Sequence, residues 1–290
     1  MPKTGCSQSS TMEVPAHTQS EVTEQLRAIV RRRRVQYFER ADRWFHRLVR
    51  LAAVVHEGFW LGCLSPDDLN AVTADHYRKS QEAGSPEHNL RGFFDWETSV
   101  VARYLHPGSR ILVAAAGGGR EVLALRRAGF RAEGFECNPL LLQSSHALFE
   151  GLGEARWVIP SGVDQVPPGP PVYEGLIVGW GAYTHIPTRP RRVAFLQALR
   201  GRARPGSPVL LSFFTRARCT RYETAVYRTA SVCRLLLRGR KEPLGLGDHL
   251  GWCYSHSFTQ EELEAELRTA GFRMVHFSEL DYSHAVGIAE

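Results

Sequence analysis

The most constraining stretch of this sequence begins with an unbroken apolar run at residues 111–115. Such a run is typical of a strand that is buried on both faces of a parallel sheet. Three glycines at 117–119 follow, and they let the chain turn sharply and let a ligand approach the backbone. Residues 120–127 then have the pattern of a short helix, 130–135 that of a second strand, and Glu136 stands directly after it. This order predicts a ligand site at the carboxyl edge of a doubly wound sheet.

The spacing of the small residues in this turn distinguishes two kinds of site. A dinucleotide-binding fingerprint, G-x-G-x-x-G, needs glycine at 115, 117 and 120, but the sequence has Ala115, Gly117 and Arg120. The spacing G-x-G-x-G maps onto Ala115, Gly117 and Gly119. This stretch resembles motif I of the class I S-adenosylmethionine-dependent methyltransferases, with Glu136 in place of the ribose-binding acid. The alternative is a glycine-rich turn in another kind of α/β protein.

The resemblance implies that the cofactor S-adenosyl-L-methionine lies over the glycine turn and that Glu136 accepts hydrogen bonds from its ribose hydroxyls. It also implies that Asp164 contacts the adenine amino group. The presence of an aspartate at this position is explained equally well by the frequent occurrence of acidic residues in loops. Tyr77 is expected to cover the cofactor, with helix packing as the alternative. The complete set of expected cofactor contacts is Tyr77, Ala115, Gly117, Gly119, Glu136, Cys137, Asp164, Gly179 and Trp180.

The remainder of the chain continues the alternation of strands and helices. Further strands are predicted at 156–159, 175–179, 208–214, 272–278 and 284–289, and a helix with a Thr259/Glu262 capping box at 259–271. A closing helix followed by an antiparallel pair of strands resembles the end of the family's seven-stranded sheet. We therefore expect an α/β fold, a Rossmann-like doubly wound seven-stranded sheet with an antiparallel last strand, plus an N-terminal helical extension.

Three segments follow from composition and periodicity. Residues 1–20 are polar and predict a disordered tail. Residues 21–94 carry apolar side chains at helical spacing and predict a helical cover or lid, with a dimerisation arm as the alternative. Residues 95–290 predict the methyltransferase core. Either a monomer or a homodimer is compatible with this organisation.

Charge and cysteine usage bound the partners and the compartment. The formal net charge is +6, but the basic residues are nearly all arginine, and the dense run at 31–34 is explained by a solvated helix face or by a nucleic-acid patch. No RNA-binding module is recognisable, so a nucleic-acid partner is not expected. The six cysteines form no paired pattern, and the longest apolar stretch, 48–64, is too short to span a bilayer. A cytoplasmic protein without a signal peptide or a membrane partner is expected.

The candidate catalytic residue is His185, in the loop after the fourth predicted strand. A histidine there has the pKa range of a general base, although capping a helix or binding a backbone carbonyl explains it equally well. The residues expected to bind the acceptor are Tyr183, Trp252, Tyr254 and His256, with core packing as the alternative for the last three. No metal is expected, because His249, Cys253 and His256 lack a fourth ligand nearby.

These features predict an enzyme that transfers a methyl group from S-adenosylmethionine to an oxygen or nitrogen of a small-molecule acceptor. A methyltransferase of RNA or protein is the first alternative, favoured by the positive charge. A protein that binds the cofactor without turnover is the second, because Ala115 replaces the first glycine of the motif.

Overall fold

The computed structural model describes residues 21, 23, 24, 27, 33–79, 84–237 and 243–290. The predicted tail at 1–20 lies outside these residues. The chain divides into two compact units, Met1–Ala53 and Val54–Glu290, which are described separately. The predicted boundary after residue 94 falls inside the second unit.

Within the described residues, the regular elements alternate along the chain much as the sequence predicts. The helices are α1 (Arg33–Cys63), α2 (Pro66–Lys79), α3 (Pro86–Leu90), α4 (Asp95–Tyr104), α5 (Arg120–Arg127), α6 (Pro139–Gly151), α7 (Arg189–Arg200), α8 (Arg221–Leu236) and α9 (Gln260–Thr269). The strands are β1 (Arg110–Ala114), β2 (Arg131–Glu136), β3 (Val158–Pro160), β4 (Gly175–Val178), β5 (Pro208–Ser212), β6 (Phe214–Thr215), β7 (Asp248–Leu250), β8 (Tyr254–Phe258), β9 (Phe272–Ser278) and β10 (His284–Ala289).

A seven-stranded sheet forms the centre of the second unit, in the order β3-β2-β1-β4-β5-β10-β9. The pairings from β3 to β5 are parallel, whereas β10 runs antiparallel to both β5 and β9. The predicted fold class, a doubly wound sheet that ends in an antiparallel pair, is confirmed.

The apolar run of β1 is buried on both faces of the sheet. Ile111 and Val113 belong to one core cluster, together with residues of α4 and α5. Leu112 and Ala114 point to the opposite face and belong to the other large cluster, together with residues of α7 and α9. Helices on both faces explain why this strand reads as a continuous apolar run rather than as an alternating one.

An insertion between β5 and α9 was not predicted from the sequence. It contains α8 and a three-stranded sheet in the order β6-β8-β7. Val226 and Ala230 of α8 are buried against Leu61 of α1 and Leu69 of α2. Helices α1 and α8 approach each other closely at Gly62 of α1, where an added Cβ atom would lie 2.6 Å from the Cβ of Cys233 on α8.

Among the described residues, no helix on its own combines the length and the apolar composition that crossing a membrane requires. One bent pair of helices, Arg34–Cys63 with Pro66–Arg78, meets both conditions on length and composition alone.

Candidate active site

A cavity of about 540 Å³ lies at the carboxyl ends of the parallel strands. Its walls include the segments that follow β1, β2, β3 and β4, which is where open α/β sheets bind their ligands. Residues 70–77 of α2 and 88–89 of α3 supply another wall. The cavity therefore lies between the sheet edge and the helices that precede the core.

The glycine turn after β1 presents backbone to this cavity. Ala115 and Gly117 both adopt left-handed backbone conformations, with φ of +50° and +54°. A Cβ atom at Gly117 would meet no other atom within 4 Å, so its missing side chain leaves open space beside the turn. Gly117 lines the cavity, as the sequence predicts of a residue that a ligand approaches closely.

Glu136 at the end of β2 is buried, and each of its two carboxylate oxygens accepts one hydrogen bond from a backbone N–H. The N–H of Gly117 donates to Oε2 at 2.8 Å, and the N–H of Asn138 donates to Oε1 at 2.7 Å. Each carboxylate oxygen can accept a second hydrogen bond. Glu136 therefore fixes the glycine turn and still offers two acceptor sites to a ligand with two hydroxyl groups.

Aromatic rings follow one another along part of the cavity wall, where Tyr77, His88, Trp180 and His185 line the cavity and Phe214 and Tyr282 contact these rings. The ring of His88 stacks on Trp180 with centroids 6.1 Å apart, and Trp180 lies 5.4 Å from Tyr282. Phe214 lies 6.1 Å from His185, which in turn meets Tyr77 edge-on at 5.8 Å. These rings form a mostly uncharged region suited to a flat, apolar part of a ligand.

The hydrogen bonding of His185 determines its tautomer. Nδ1 lies 2.7 Å from the carbonyl oxygen of Tyr254, which only accepts hydrogen bonds, so Nδ1 carries the proton. Burial lowers the pKa of His185 from its ordinary value of 6.5. The ring is therefore neutral near pH 7, and Nε2 keeps a lone pair. His185 lines the cavity, as expected of a base.

Solved structures with the same arrangement are numerous. A methyltransferase from Methanosarcina mazei is similar over 68% of this chain and 96% of its own, with a TM-score of 0.53 and 15% identity. The 1,6-didemethyltoxoflavin N1-methyltransferase of Burkholderia thailandensis covers 78% of this chain and 92% of its own, with a TM-score of 0.54 and 18% identity. The sugar N-methyltransferase KedS8 of Streptoalloteichus covers 68% and 86%, with a TM-score of 0.50 and 14% identity.

This chain has the fold of the class I S-adenosylmethionine-dependent methyltransferases. No protein-family model and no curated protein matches the sequence, so the likeness is one of structure.

In the methyltransferase fold of this chain, two further predicted cofactor residues line the cavity beside Glu136. Desolvation, together with the Glu136 carboxylate, raises the pKa of the Cys137 thiol to about 12, so the thiol stays protonated. Asp164 accepts a hydrogen bond from Nδ2 of Asn70 at 2.8 Å and lies 3.6 Å from Arg191. Because burial outweighs these partners, the pKa of Asp164 is raised.

Two of the glycines predicted to contact the cofactor lie outside the cavity lining. Gly119 caps the start of α5 with φ of +94°, and its Cβ would lie 2.9 Å from the ring of Phe149, away from the cavity. Gly179 lies against the carbonyl oxygen of Ala115, which a Cβ would strike. Gly119 thus allows a side chain to pack closely and Gly179 allows the backbone of Ala115 to do so, and their contact with the cofactor stays a prediction.

The four residues predicted to bind the acceptor do not line this cavity, and their role stays a prediction. Tyr183 is buried and donates its hydroxyl hydrogen to Glu266 at 2.6 Å. Tyr254 and His256 are both buried and both hydrogen-bond to Oδ1 of Asp248. The tyrosine hydroxyl oxygen lies 2.8 Å from it and Nδ1 of His256 lies 2.7 Å from it. Trp252 is 88% exposed. The burial of Tyr254 and His256 agrees with core packing, the alternative left open for Trp252, Tyr254 and His256, whereas the exposure of Trp252 does not.

A buried ionic network next to the glycine turn was missed by the sequence analysis. Arg120, the first residue of α5, bonds both carboxylate oxygens of Glu97 at 2.6 Å and 2.7 Å, and Glu121 at 2.7 Å. Its guanidinium also lies 4.3 Å from the ring of Phe94. Oε1 of Glu121 in turn accepts the N–H of Trp180 at 3.2 Å. The network thus joins α4, the turn and the loop after β4.

Asn89 is the second residue that the sequence analysis missed. It is 1% exposed, and its side-chain Nδ2 and Oδ1 have no hydrogen-bond partner among the described residues. Its amide lies against Gly118, where a Cβ would collide with it. A buried amide without partners costs about 1–3 kcal/mol, which a ligand with a donor and an acceptor would recover. Nothing in the local sequence around Asn89 distinguishes it from an ordinary helix residue.

Proposed function

We propose that this protein transfers a methyl group from S-adenosylmethionine to an oxygen or nitrogen of a small-molecule acceptor. One observation carries the proposal. A single cavity is lined both by a carboxylate with two free acceptor sites beside an open glycine turn, and by a neutral histidine with a free Nε2.

Three residues of the cavity lining have the chemistry to contact S-adenosylmethionine. Glu136 has one acceptor site left on each oxygen for the two ribose hydroxyls. Gly117 leaves space beside the turn, and the unpartnered amide of Asn89 suits the polar amino-acid end of the cofactor. S-adenosylmethionine, when bound, supplies a methyl group on a positively charged sulfur. The residues of this chain then have to orient the acceptor and exclude water, and orientation alone is worth roughly 7–11 kcal/mol.

The aromatic side of the cavity supports a small-molecule acceptor. His88, Trp180 and Tyr77 offer rings to stack against, and none of these carries a negative charge near pH 7. Two of the similar structures are, by their names, N-methyltransferases of 1,6-didemethyltoxoflavin and of a sugar. In this proposal Nε2 of His185 takes the proton that the acceptor loses, and α2 and α3 cover the site.

Replacing Glu136 by alanine should weaken S-adenosylhomocysteine binding by about 1.5–3 kcal/mol, the range for hydrogen bonds to a charged group. Isothermal titration calorimetry measures this loss. Glu133→Ala is the matched control. Glu133 lies on the same strand, but its carboxylate accepts a hydrogen bond from Arg110 and it does not line the cavity. Unchanged affinity in Glu136→Ala would reject the assignment of the ribose site.

Replacing His185 by alanine should lower kcat at least about tenfold, since a positioned base contributes about 10²–10⁴-fold. The wild-type rate should fall as pH decreases below 6.5, because the lowered pKa keeps the ring neutral above that value. This acid limb should disappear in the variant. A coupled assay that follows S-adenosylhomocysteine release, run across a panel of phenols and amines, gives both readouts.

His185→Gln separates a base from a structural residue. Glutamine can still donate a hydrogen bond to the carbonyl of Tyr254, but it cannot accept a proton at neutral pH. If glutamine restores kcat and alanine does not, His185 only holds β8 in place. If both variants lose the acid limb and the rate, His185 acts as the base.

A further inference from the structure

Helix α1 carries a wide apolar face within the first unit. Along residues 33–53 of α1, six large apolar side chains are between 59% and 68% exposed: Tyr37, Phe38, Trp44, Phe45, Leu48 and Leu51. At 3.6 residues per turn they fall within a sector of about 140° of the helix surface. Soluble helices normally bury such a face, so this one indicates an interaction surface.

The opposite side of the same helix segment is basic. It carries Arg40, Arg43, Arg47 and Arg50 against two acids, Glu39 and Asp42. Both acids already lie near side chains of their own helix, Glu39 at 3.9 Å from Arg43 and Asp42 at 3.5 Å from His46. In the described part of the chain, Arg40, Arg47 and Arg50 therefore have no carboxylate partner. Arg40 and Arg47 lie on one flank of the apolar face, and Arg50 lies on the side of the helix opposite to it.

We propose that this apolar face binds the surface of an anionic lipid bilayer. The helix would lie in the plane of the interface, with the apolar face, Tyr37 to Leu51, in the acyl boundary. Arginine stems can lie along the apolar edge while their guanidinium groups reach lipid phosphates. An apolar face rich in Trp and Phe opposite a basic face is the pattern of helices that lie on membranes. This inference is independent of the proposed methyl transfer and revises the expectation of no membrane partner.

A second copy of this chain fits the face less well. A two-helix seam uses a narrow stripe at a and d positions, whereas Phe38 and Phe45 widen the face well beyond Tyr37, Trp44 and Leu48. In an antiparallel twofold pair the same flank of each helix meets its copy. Arg40 and Arg47 would then face the same arginines of the other copy, and like charges repel.

Vesicle flotation of the full chain tests the proposal. We expect it to float with vesicles of equal parts phosphatidylcholine and phosphatidylserine, less with phosphatidylcholine alone, and less in high salt because surface charges are screened. Trp44→Glu with Leu48→Glu should weaken partitioning at least about tenfold, since each buried large apolar side chain is worth more than one factor of ten. Circular dichroism verifies that the variant stays folded.

Two further variants sharpen the test. Leu235→Glu with Leu236→Glu, on exposed apolar residues of α8, should bind vesicles like the wild type. Arg40→Glu with Arg47→Glu should lose the preference for phosphatidylserine while keeping the apolar face. The proposal is overturned if the full chain floats with neither vesicle, if it binds both equally, or if the α8 control loses as much. It is also overturned if light scattering shows a dimer that Trp44→Glu with Leu48→Glu dissociates, because the occupant is then a second copy.

Discussion

Gly117→Val should abolish the binding of S-adenosylhomocysteine and leave the chain folded. The Cβ at this position would meet no protein atom within 4 Å, so the added side chain would enter open space beside the turn without disturbing the packing. That space is where the cofactor would approach the backbone in the proposed function. Calorimetry with S-adenosylhomocysteine measures the loss, and thermal unfolding measures the fold.

The control for this variant has to reproduce its backbone strain. Gly117 has φ of +54°, where a β-branched residue costs about 1–3 kcal/mol whatever the space. Gly153 has φ of +71°, also meets nothing within 4 Å, and lies outside the cavity. Gly153→Val should therefore lower the unfolding midpoint by a similar amount and keep the ligand affinity. If both variants bind S-adenosylhomocysteine, the glycines after β1 are needed only to form the turn and not to make space for a ligand.

Arg120→Met should lower the free energy of unfolding by about 3–5 kcal/mol, because it leaves Glu97 and Glu121 buried without a counter-charge. The loss should shrink as pH falls, since protonation removes the uncompensated charges. Urea unfolding at two pH values measures both effects.

The pair of Arg110 and Glu133 gives the comparison for Arg120. Its ions are 2.7 Å apart but remain 46% and 36% exposed. Surface pairs contribute about 0–1 kcal/mol, so Arg110→Met should change stability little. If Arg110→Met and Arg120→Met lower the free energy of unfolding equally, the buried network contributes no more to stability than a surface ion pair does. Adding Glu97→Gln to Arg120→Met should recover part of the stability, because one of the two stranded charges is then absent.

The parts of the fold that the sequence predicted depend on local signals. The apolar run of β1 and the glycines after it lie within a few residues of one another. The capping box of Thr259 and Glu262 is present, with the N–H of Glu262 donating to Oγ1 of Thr259 at 3.2 Å. The strands predicted at 272–278 and 284–289 have the same bounds in the structure.

The parts that were missed depend on partners far along the chain. His256 is of a residue type common in ligand pockets, but it is buried and hydrogen-bonds to Asp248, which no local sequence pattern singles out. Arg120 at a helix start reads as an ordinary surface cation until Glu97, 23 residues earlier, is placed beside it. Asn89 becomes notable only because its amide is buried against the glycine turn without a partner. In each of these cases the role of the residue depends on its burial in the tertiary structure, and the periodicity of the sequence does not predict that burial.

The backbone of Tyr254 connects two parts of the site that the reaction would use at different moments. Its N–H lies 3.3 Å from Oγ1 of Thr73 on α2, and its carbonyl oxygen lies 2.7 Å from Nδ1 of His185. One strand residue therefore links α2 to the imidazole of His185. In the proposed function, a displacement of α2 that breaks the Thr73 contact would remove one of the two hydrogen bonds made by the backbone of Tyr254, the residue whose carbonyl selects the tautomer of His185.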